Sequence, residues 1–488
     1  MSKCLHRNNI CYGLTLDSGS GAGMAIMNMK KIRKIIEYGL YLLVFLLPWQ
    51  TRWIIKAGMI NGGYSEYGTI SLYGTDILLI ILLIFNFIYN KKNNWKLKIE
   101  NWELKYWWLI AGLELMIFIS IFFAADKYAA VYAYLRFLLA IGLFWLIVSV
   151  NFNKIKLLAG LLVGILIQAI LGISQFISQS SFGSKWLGMA LHNSSDLGVS
   201  VIEVVKIGAW PERWLRAYGG LDHPNMLGGI LAISLIILIW QYASFRLETN
   251  NIKLNNKLLF IFYFLFFIFI LALFFTFSRG SWIGLLAGIS TMLGIFIKNH
   301  DFKKQKIILE IILLSGIMIF ILYNIYGDLV STRFFPETRL EAKSLTERAT
   351  LNEYARGLIK NHWLFGVGIG NFTQSAQKEI ITGQPSYYYQ PAHNTFLLVL
   401  AEIGVIGLLF FISLLIYLFI KVLNPPNPAY RQAGPFYQGG DNFFISPILL
   451  SLIVMMTADH WWWSLHFGIL FFWLAMGLMV RKIKEDII

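Results

Sequence analysis

The sequence predicts an all-α, polytopic membrane protein with about twelve transmembrane helices. Of its 488 residues, 57% are hydrophobic, 16% are aromatic and only 14% are charged, whereas soluble domains carry about 25% charged residues. The mean hydropathy is +0.62. Twelve spans of about 20 residues each would occupy roughly half of the chain. This composition excludes an ordinary soluble enzyme, and it equally excludes a disordered or fibrous chain.

Apolar runs set the positions of the predicted spans. The first six cover Ile35–Leu47, Asp76–Tyr89, Trp107–Phe123, Tyr128–Val150, Leu157–Ile177 and Pro224–Tyr242. The other six cover Leu258–Phe277, Trp282–Ile297, Ile307–Tyr326, Asn394–Val422, Phe443–Thr457 and Trp462–Met479. An even number of spans leaves both ends of the chain on the same side of the membrane.

Basic residues assign that side to the cytoplasm. They precede the first span, fill alternate short loops and follow the last span, as at Lys30, Lys31, Lys91, Lys92, Lys154, Lys156, Lys253, Lys257, Lys303, Lys304, Arg481 and Lys482. Short cytoplasmic loops of membrane proteins are enriched in lysine and arginine, so both termini are expected inside. The net charge of +15 is therefore explained by membrane topology, and nucleic acid is not expected as a partner.

The first part of the chain differs from the rest. Residues 1–29 form a polar tail with a Gly/Ser run at Ser18–Gly21 and no apolar run. Either this tail is disordered, or translation starts at one of the methionines just before Lys30. Cys4 and Cys11 in the tail are the only cysteines, so a disulfide framework across the body and a cysteine-based metal site are excluded.

Residues 30–488 form the predicted membrane domain. Within it, residues 327–393 form a long extracytoplasmic loop that contains a helix. The pair Ser344 and Glu347 has the spacing of a capping box and predicts the start of this helix, and His362 is its predicted end. The apolar face of the helix is expected to pack on the bundle or on the membrane surface.

Arginines at the predicted outer face are candidates for phosphate binding. Arg279 lies in a short turn between two strongly apolar spans, and Arg216 lies shortly before the sixth span. A guanidinium presents a planar fork of donors and does not lose its charge, so it suits the oxygens of a phosphate. The alternative for Arg279 is a structural role in which it anchors the protein to lipid headgroups.

A histidine and acidic residues are expected on the same face. Histidine titrates near neutral pH, so His393 at the start of the tenth span is a candidate general base, the alternative being a helix cap. Glu402 should face the bundle, because a lipid-facing carboxylate is costly. Asp459 and His460 lie between the last two spans, and the sequence assigns them no firm role. No Asp-x-Asp pair is expected on this face, so a metal-bound sugar nucleotide is not predicted.

Together these motifs resemble the O-antigen ligase and polymerase superfamily. The series comprises Arg216-Ala-x-Gly219, His223-Pro224-Asn225, Phe277-Ser278-Arg279-Gly280, Glu347-Arg348, Gly366-x-Gly368-x-Gly370-Asn371-Phe372, His393-Asn394 and Glu402-x-Gly404. The resemblance implies a membrane glycosyltransferase of the GT-C type. Its donor would be a glycan on undecaprenyl diphosphate, and its reaction would invert the anomeric centre without a metal ion or another cofactor.

The resemblance also implies roles for individual residues. Arg216 and Arg279 would bind the donor diphosphate, and His393 would activate the acceptor hydroxyl. The other residues expected to bind substrate are Arg348, His223, Asn225, Asn394 and Glu402. The implied location is the inner membrane of a bacterium, with the site on the extracytoplasmic face.

The acceptor separates two activities within this superfamily. A ligase transfers the glycan to lipid A-core or to another glycan acceptor, whereas a polymerase transfers it to a second lipid-linked repeat. The long loop before His393 favours the ligase, and a polymerase has the same motifs. A transporter of lipid-linked oligosaccharides is the alternative from another class. Transporters have polar or broken helices at the midplane, and Phe260–Phe275 is almost wholly apolar.

Overall fold

The computed structural model describes residues 19–92, 105–205, 210–248, 256–334, 338–423 and 445–485. Within these ranges the chain is mostly helical, which confirms the predicted all-α fold. The helices that correspond to the predicted spans are α1 Gly19–Leu46, α2 Gly74–Lys92, α3 Lys105–Ser120, α4 Lys127–Ser149, α5 Lys154–Ser178, α6 Pro224–Glu248, α7 Asn256–Thr276, α8 Arg279–Lys298, α9 Phe302–Phe334, α12 Thr395–Leu423, α13 Ile445–Met456 and α15 His466–Glu485. The remaining helices are α10 Arg339–His362, α11 Phe372–Glu379 and α14 Trp461–Ser464.

Nine helices in the described ranges, α2 to α9 and α12, are long and apolar enough to cross a membrane. The apolar parts of α13 and α15 are shorter, and α1 carries the basic residues Lys30, Lys31, Arg33 and Lys34 in its middle. A polytopic membrane fold is therefore confirmed. The number of helices that meet the length and hydropathy expected of a span is nine, whereas the sequence predicted about twelve spans.

Short antiparallel strands connect some of the helices, and the sequence did not predict them. They are β1 Arg52–Lys56 with β4 Ile70–Tyr73, β2 Met59–Ile60 with β3 Gly63–Tyr64, and β5 Val201–Val204 with β6 Glu212–Leu215. Runs of two to five residues are too short for their alternation to be read against an apolar background. The first two pairs lie between α1 and α2, and the third lies between α5 and α6.

These loops meet at one end of the helix bundle. The side-chain amide of Asn61 donates to the backbone carbonyl of Gln384 at 2.7 Å. The backbone N–H of Asp126 donates to Oδ1 of Asn371 at 2.6 Å. Segments before α2, before α4 and before α12 are therefore held together, and they cover the end of the bundle at which the candidate residues lie.

Two boundaries in the long loop region differ from the prediction. Helix α10 begins at Arg339, so the proposed capping box is wrong, because Ser344 and Glu347 lie inside the helix. Glu341 in the first turn is buried and forms ion pairs outside the helix, which fixes the start of α10 through tertiary contacts. The predicted end at His362 is confirmed.

Other helices extend beyond the predicted spans. Helix α1 begins at Gly19, so the last third of the predicted polar tail is helical, while residues 1–18 lie outside the described ranges. Helix α9 continues to Phe334 through a kink at Tyr326, whose φ is −121°. The part of the long loop before α10 is therefore shorter than expected.

A break in α12 holds the loop that leads to His393. Gly404 has φ 71° and ψ −178°, a combination that residues with a Cβ rarely adopt. The backbone N–H of Val405 donates to the carbonyl of Trp363 at 2.8 Å, and that of Gly368 donates to the carbonyl of Glu402 at 2.9 Å. A Cβ at Gly404 would lie only 2.1 Å from the carbonyl oxygen of Leu364. Glycine is therefore required for this loop to dock on α12.

Candidate active site

The site is centred on a histidine–aspartate pair. His393 precedes α12, and Asp459 lies between α13 and α14; His393 Nδ1 is 3.6 Å from Asp459 Oδ1. This distance is longer than a hydrogen bond, as is common for catalytic pairs in unliganded enzymes. The hydroxyl of Thr395 donates to the backbone carbonyl of Asp459 at 2.7 Å. This bond ties the start of α12 to the turn that carries the aspartate.

A chain of buried polar groups supports Asp459. Asn225, in the first turn of α6, donates from Nδ2 to Asp459 Oδ2 at 2.7 Å. Arg216 donates from NH2 to Asn225 Oδ1 at 2.9 Å. The other guanidinium nitrogens of Arg216 donate to the carbonyl of Thr276 and to the hydroxyl of Ser200, each at 2.7 Å. The guanidinium of Arg216 thus lies behind Asn225 and fixes the direction of its amide.

The charges of the surrounding groups favour an ionised aspartate. Burial alone would raise the pKa of Asp459, but its contact with His393 and the charge of that ring hold the pKa well below its ordinary range. Burial, and then the charge of His393, lower the pKa of His460 to about 3. Burial and the nearby Arg216 likewise lower the pKa of His223 well below its ordinary value. At neutral pH the site therefore contains the anion of Asp459 together with the neutral side chains of His460 and His223.

Three arginines lie next to this pair. Arg279 and Arg333 both form ion pairs with the buried Glu341, the former at 2.6 Å between NH2 and Oε1. Arg279 also donates to the backbone carbonyl of Arg333 at 2.7 Å. Arg348, on α10, makes no hydrogen bond or ion pair with any part of the chain that the structure describes. A single glutamate therefore pairs with two of the three arginines, and its one negative charge leaves this group of side chains positively charged.

The arginines line a cavity that Asp459 also borders. The cavity together with its solvent-filled mouth encloses about 360 Å³. The residues with polar side chains in its wall are Asn225, Ser278, Arg279, Ser281, Arg333, Arg348 and Asp459. The cavity combines a surplus of guanidinium donors with a direct border on the histidine–aspartate pair. Such a recess is suited to an anionic leaving group such as a diphosphate.

His393, Asp459 and His460 also have the side chains of a metal site. Their potential ligand atoms all lie within 4.8 Å of one another. Asp459 accepts from the backbone N–H of His460 at 2.8 Å, and His460 Nδ1 is hydrogen-bonded to the hydroxyl of Ser464 at 2.7 Å. These two bonds fix the orientation of Asp459 and His460.

The other residues expected to bind substrate occupy structural positions near the site. His223 accepts the backbone N–H of Asn225 on Nδ1 at 3.1 Å, and it thereby caps α6. Asn394 accepts the N–H of Leu397 at 3.1 Å and caps α12. Glu402 is buried and accepts the indole N–H of Trp463 at 2.8 Å. Their role in binding substrate stays a prediction.

Several residues of the site were missed by sequence reasoning. Arg333 and Glu341 lie in the region taken as loop, where charged residues are common and carry no signal. Asp459 was noticed but given no role, because its partners lie far away along the chain. Arg136 was missed although a signal existed, since an arginine inside an apolar span marks a functional site by default. It lies in α4, within the predicted fourth span.

Comparison with known proteins bears on the same region. Residues 264–412 match the family model described as O-antigen ligase, and this stretch includes Arg279, Arg348 and His393. No curated protein matches the chain. The resemblance to the O-antigen ligase superfamily is thus confirmed across this part of the chain, which also contains the glycine-rich loop and the break in α12.

Proposed function

Because residues 264–412 match the O-antigen ligase family, we propose that the protein is a glycosyltransferase that uses a glycan on undecaprenyl diphosphate as donor. The observation that carries this proposal is that the arginine-lined cavity and His393 share Asp459. The enzyme would act at the extracytoplasmic face of the bacterial inner membrane, in the assembly of lipopolysaccharide or another surface polysaccharide.

The cavity would receive the diphosphate of the donor. Arg348 has no protein anion in the described ranges and is therefore free to pair with a phosphate. Arg279 also lines this cavity, and its charge is only partly compensated, because it shares the single carboxylate of Glu341 with Arg333. Arg216, which the resemblance assigns to the diphosphate, would act through Asn225, because its three nitrogen atoms already bond to protein acceptors.

The transfer would be a single displacement at the anomeric carbon. Asp459 would hold His393 by Nδ1, which leaves Nε2 to accept the proton of the acceptor hydroxyl. The acceptor oxygen would form a bond to the anomeric carbon as the bond from that carbon to the diphosphate oxygen breaks. The electron pair would remain on the diphosphate, and the arginines would stabilise the developing charge. No metal ion is needed for this balance.

The test is transfer by the purified protein in lipid nanodiscs. The donor is lipid-linked glycan, and the readouts are the glycosylated acceptor and the free undecaprenyl diphosphate. Wild type should produce both, and His393→Ala should produce neither above background. His300→Asn is the matched control, because His300 is exposed and lies between α8 and α9, away from the site. The same protein is also reconstituted into closed vesicles, where recovery of intact donor on the other side of the membrane, with no released diphosphate, would overturn the enzyme in favour of a transporter.

The acceptor distinguishes the two enzymatic activities. One reaction contains lipid A-core and the other contains only the lipid-linked repeat. We propose the ligase, because a long segment that includes α10 and α11 precedes His393; polymerases also have long loops at this place, so the acceptor has to be tested. Transfer that requires lipid A-core or another free glycan supports this choice. A ladder of longer lipid-linked products without such an acceptor would identify a polymerase.

A further inference from the structure

A second cavity lies close to His393 and His460, which we call the histidine pair. We propose that this cavity binds the acceptor sugar through an anionic group on that sugar. The cavity together with its solvent-filled mouth encloses about 390 Å³, and its wall includes Tyr67, Arg136, Pro391, Trp463 and Ser464. The proposal rests on the proposed glycosyl transfer, since it assigns the class of acceptor used by that reaction.

The two histidines His393 and His460 lie close to residues of both cavities. The ring of His460 contacts those of His393 and Tyr67, with centroid distances of 4.9 Å and 5.7 Å. Tyr67 lines the second cavity, whereas Asp459 lines the first. His460 also bonds to Ser464, another residue of the second wall. A group in either cavity is therefore close to the histidine pair.

The turn after α13 and the short helix α14 contribute to the walls of both cavities. Ala458, Asp459 and Trp461 border the first cavity, whereas Trp463 and Ser464 border the second. An inverting displacement needs the nucleophile on the opposite side of the anomeric carbon from the leaving group. If the diphosphate occupies the first cavity, an acceptor hydroxyl that reaches His393 from the second cavity has this arrangement.

Arg136 gives the second cavity its chemical character. It lies nine residues after the first residue of α4, Lys127, which places it about 13 Å along the helix within an apolar span. Its Nε and NH2 atoms are buried, and neither has a hydrogen-bond partner in the described ranges. The only contact of its guanidinium that we find there is with the Tyr132 ring, 5.5 Å from the centroid. An unpaired guanidinium at this depth is costly.

Nearby acidic groups do not pair with Arg136. The carboxylate of Glu66 pairs with Arg52. The carboxylate of Asp76 pairs with His466 at 2.7 Å. Glu402 lines the same cavity, but it accepts from Trp463, and within the described residues no ion pair joins it to Arg136.

The charge of Asp222 acts on Arg136 only at longer range, and no ion pair joins the two side chains. Among the described residues, Nε and NH2 of Arg136 thus have no acceptor, and an anion in the cavity that Arg136 lines would supply one. A carboxylate or a phosphate on the acceptor sugar has the matching planar or multiple oxygens, whereas a neutral sugar would leave the buried guanidinium without a counter-charge. We therefore expect the acceptor to be a uronic acid or a phosphorylated sugar.

The experiment measures binding of three small probes without donor. The probes are methyl glucuronide, methyl glucoside and glucose 6-phosphate, and their dissociation constants are determined by saturation-transfer NMR on the full-length protein in nanodiscs. Wild type should bind at least one anionic probe about thirtyfold or more tightly than methyl glucoside, as expected for a buried charge pair. A preference for one anionic probe over the other identifies carboxylate or phosphate as the recognised group.

Two variants test whether Arg136 causes the preference. Arg136→Gln should remove it and should leave the weak binding of methyl glucoside unchanged. Arg356→Gln, a change at an exposed arginine on α10, should retain it. The thermal midpoint of each variant confirms that it is folded. Equal binding of all probes by wild type, or an unchanged preference in folded Arg136→Gln, would overturn the proposal.

Transfer assays separate this proposal from the proposed function. If glycosyl transfer fails while the Arg136-dependent preference persists, the enzyme assignment is wrong and the anion site stands. If transfer proceeds equally well to carboxylated and neutral acceptors, and the probes show no preference, the enzyme assignment stands and the anion site is wrong.

Discussion

Asn225 and Asp459 are joined by a 2.7 Å hydrogen bond across 234 positions of the chain. The bond connects the first turn of α6 to the turn after α13. It thereby links Arg216 to His393 through the side chains of Asn225 and Asp459. Because the amide of Asn225 donates to one carboxylate oxygen, the other oxygen is left to face His393. The orientation of the histidine thus depends on residues from three distant parts of the chain.

His393 and Asp459 should differ in how much activity they supply. His393→Ala removes the base and should reduce the rate of transfer by roughly two to four orders of magnitude. Asp459→Asn keeps the shape of the side chain but replaces one acceptor oxygen with a donor NH2 group. It should therefore reduce kcat by about a hundredfold or more and leave the KM for donor nearly unchanged. Initial rates at varied donor concentration measure both values. A change in KM alone for Asp459→Asn would contradict an orienting role.

Asn225 should act as a positioning residue. Asn225→Asp retains the shape and places a second carboxylate beside that of Asp459. Repulsion between the two carboxylates should raise the pKa of one of them and move the acid limb of the pH–rate profile upward. Asn225→Ala should lower kcat without this displacement of the profile. Identical pH profiles for wild type and Asn225→Asp would rule out the proposed coupling.

Arg348 and Arg333 should separate substrate binding from stability. Arg348 has no ion pair in the described ranges, so Arg348→Gln should weaken donor binding and leave the thermal midpoint nearly unchanged. Arg333 pairs with buried Glu341, and loss of one partner of a buried pair costs up to about 3–5 kcal/mol. The cost should be smaller here because Arg279 still pairs with Glu341.

The measurements for this pair are donor affinity and thermal unfolding in detergent. Arg356→Gln on the same helix as Arg348 serves as a control for the loss of a positive charge. A large fall in the thermal midpoint of Arg348→Gln, with donor affinity retained, would show that Arg348 stabilises the fold rather than binding the donor.

Asp222 should make stability depend on pH. Its side chain is accessible to solvent, but the protein atoms crowded around its carboxyl group hinder hydration of the charged form and raise its pKa from 3.8 to about 6, and repulsion from Glu66 adds to this effect. The folded protein therefore binds the proton more strongly than the unfolded chain. This contribution to stability is fully present below about pH 4 and is lost as the pH rises through about 6.

Asp222→Asn removes this loss. Its thermal midpoint should exceed that of wild type at pH 7.5 by more than it does at pH 4.5, as measured by unfolding scans in detergent. Asp328→Asn, at an exposed position of α9, controls for a general loss of negative charge. Equal differences at the two pH values, or the same pattern in Asp328→Asn, would contradict the assignment.

The segment that contains α10 shows why local patterns were only partly informative. The spacing of Ser344 and Glu347 matches a capping box, yet α10 starts before both residues. A capping box contributes about 1 kcal/mol, whereas the buried Glu341 holds two arginines from other elements. The tertiary ion pairs outweigh the local signal. The end of the helix at His362 agreed with the prediction, and there the long-range contacts favour the same boundary: His362 pairs with Glu379 at 2.7 Å, and the carbonyl of Trp363 accepts from the backbone N–H of Val405.

The sequence by itself determined the order of the apolar helices, the helical fold and the resemblance to the O-antigen ligase superfamily, because hydropathy and motif spacing are properties of neighbouring residues. It also identified His393, Arg279 and Arg348 as candidates. Only the tertiary structure decided that Asp459 faces His393, that Arg216 lies behind Asn225, and that Arg136 lines a second cavity. Such contacts depend on how distant helices pack, and no pattern along the chain encodes the distance between their side chains.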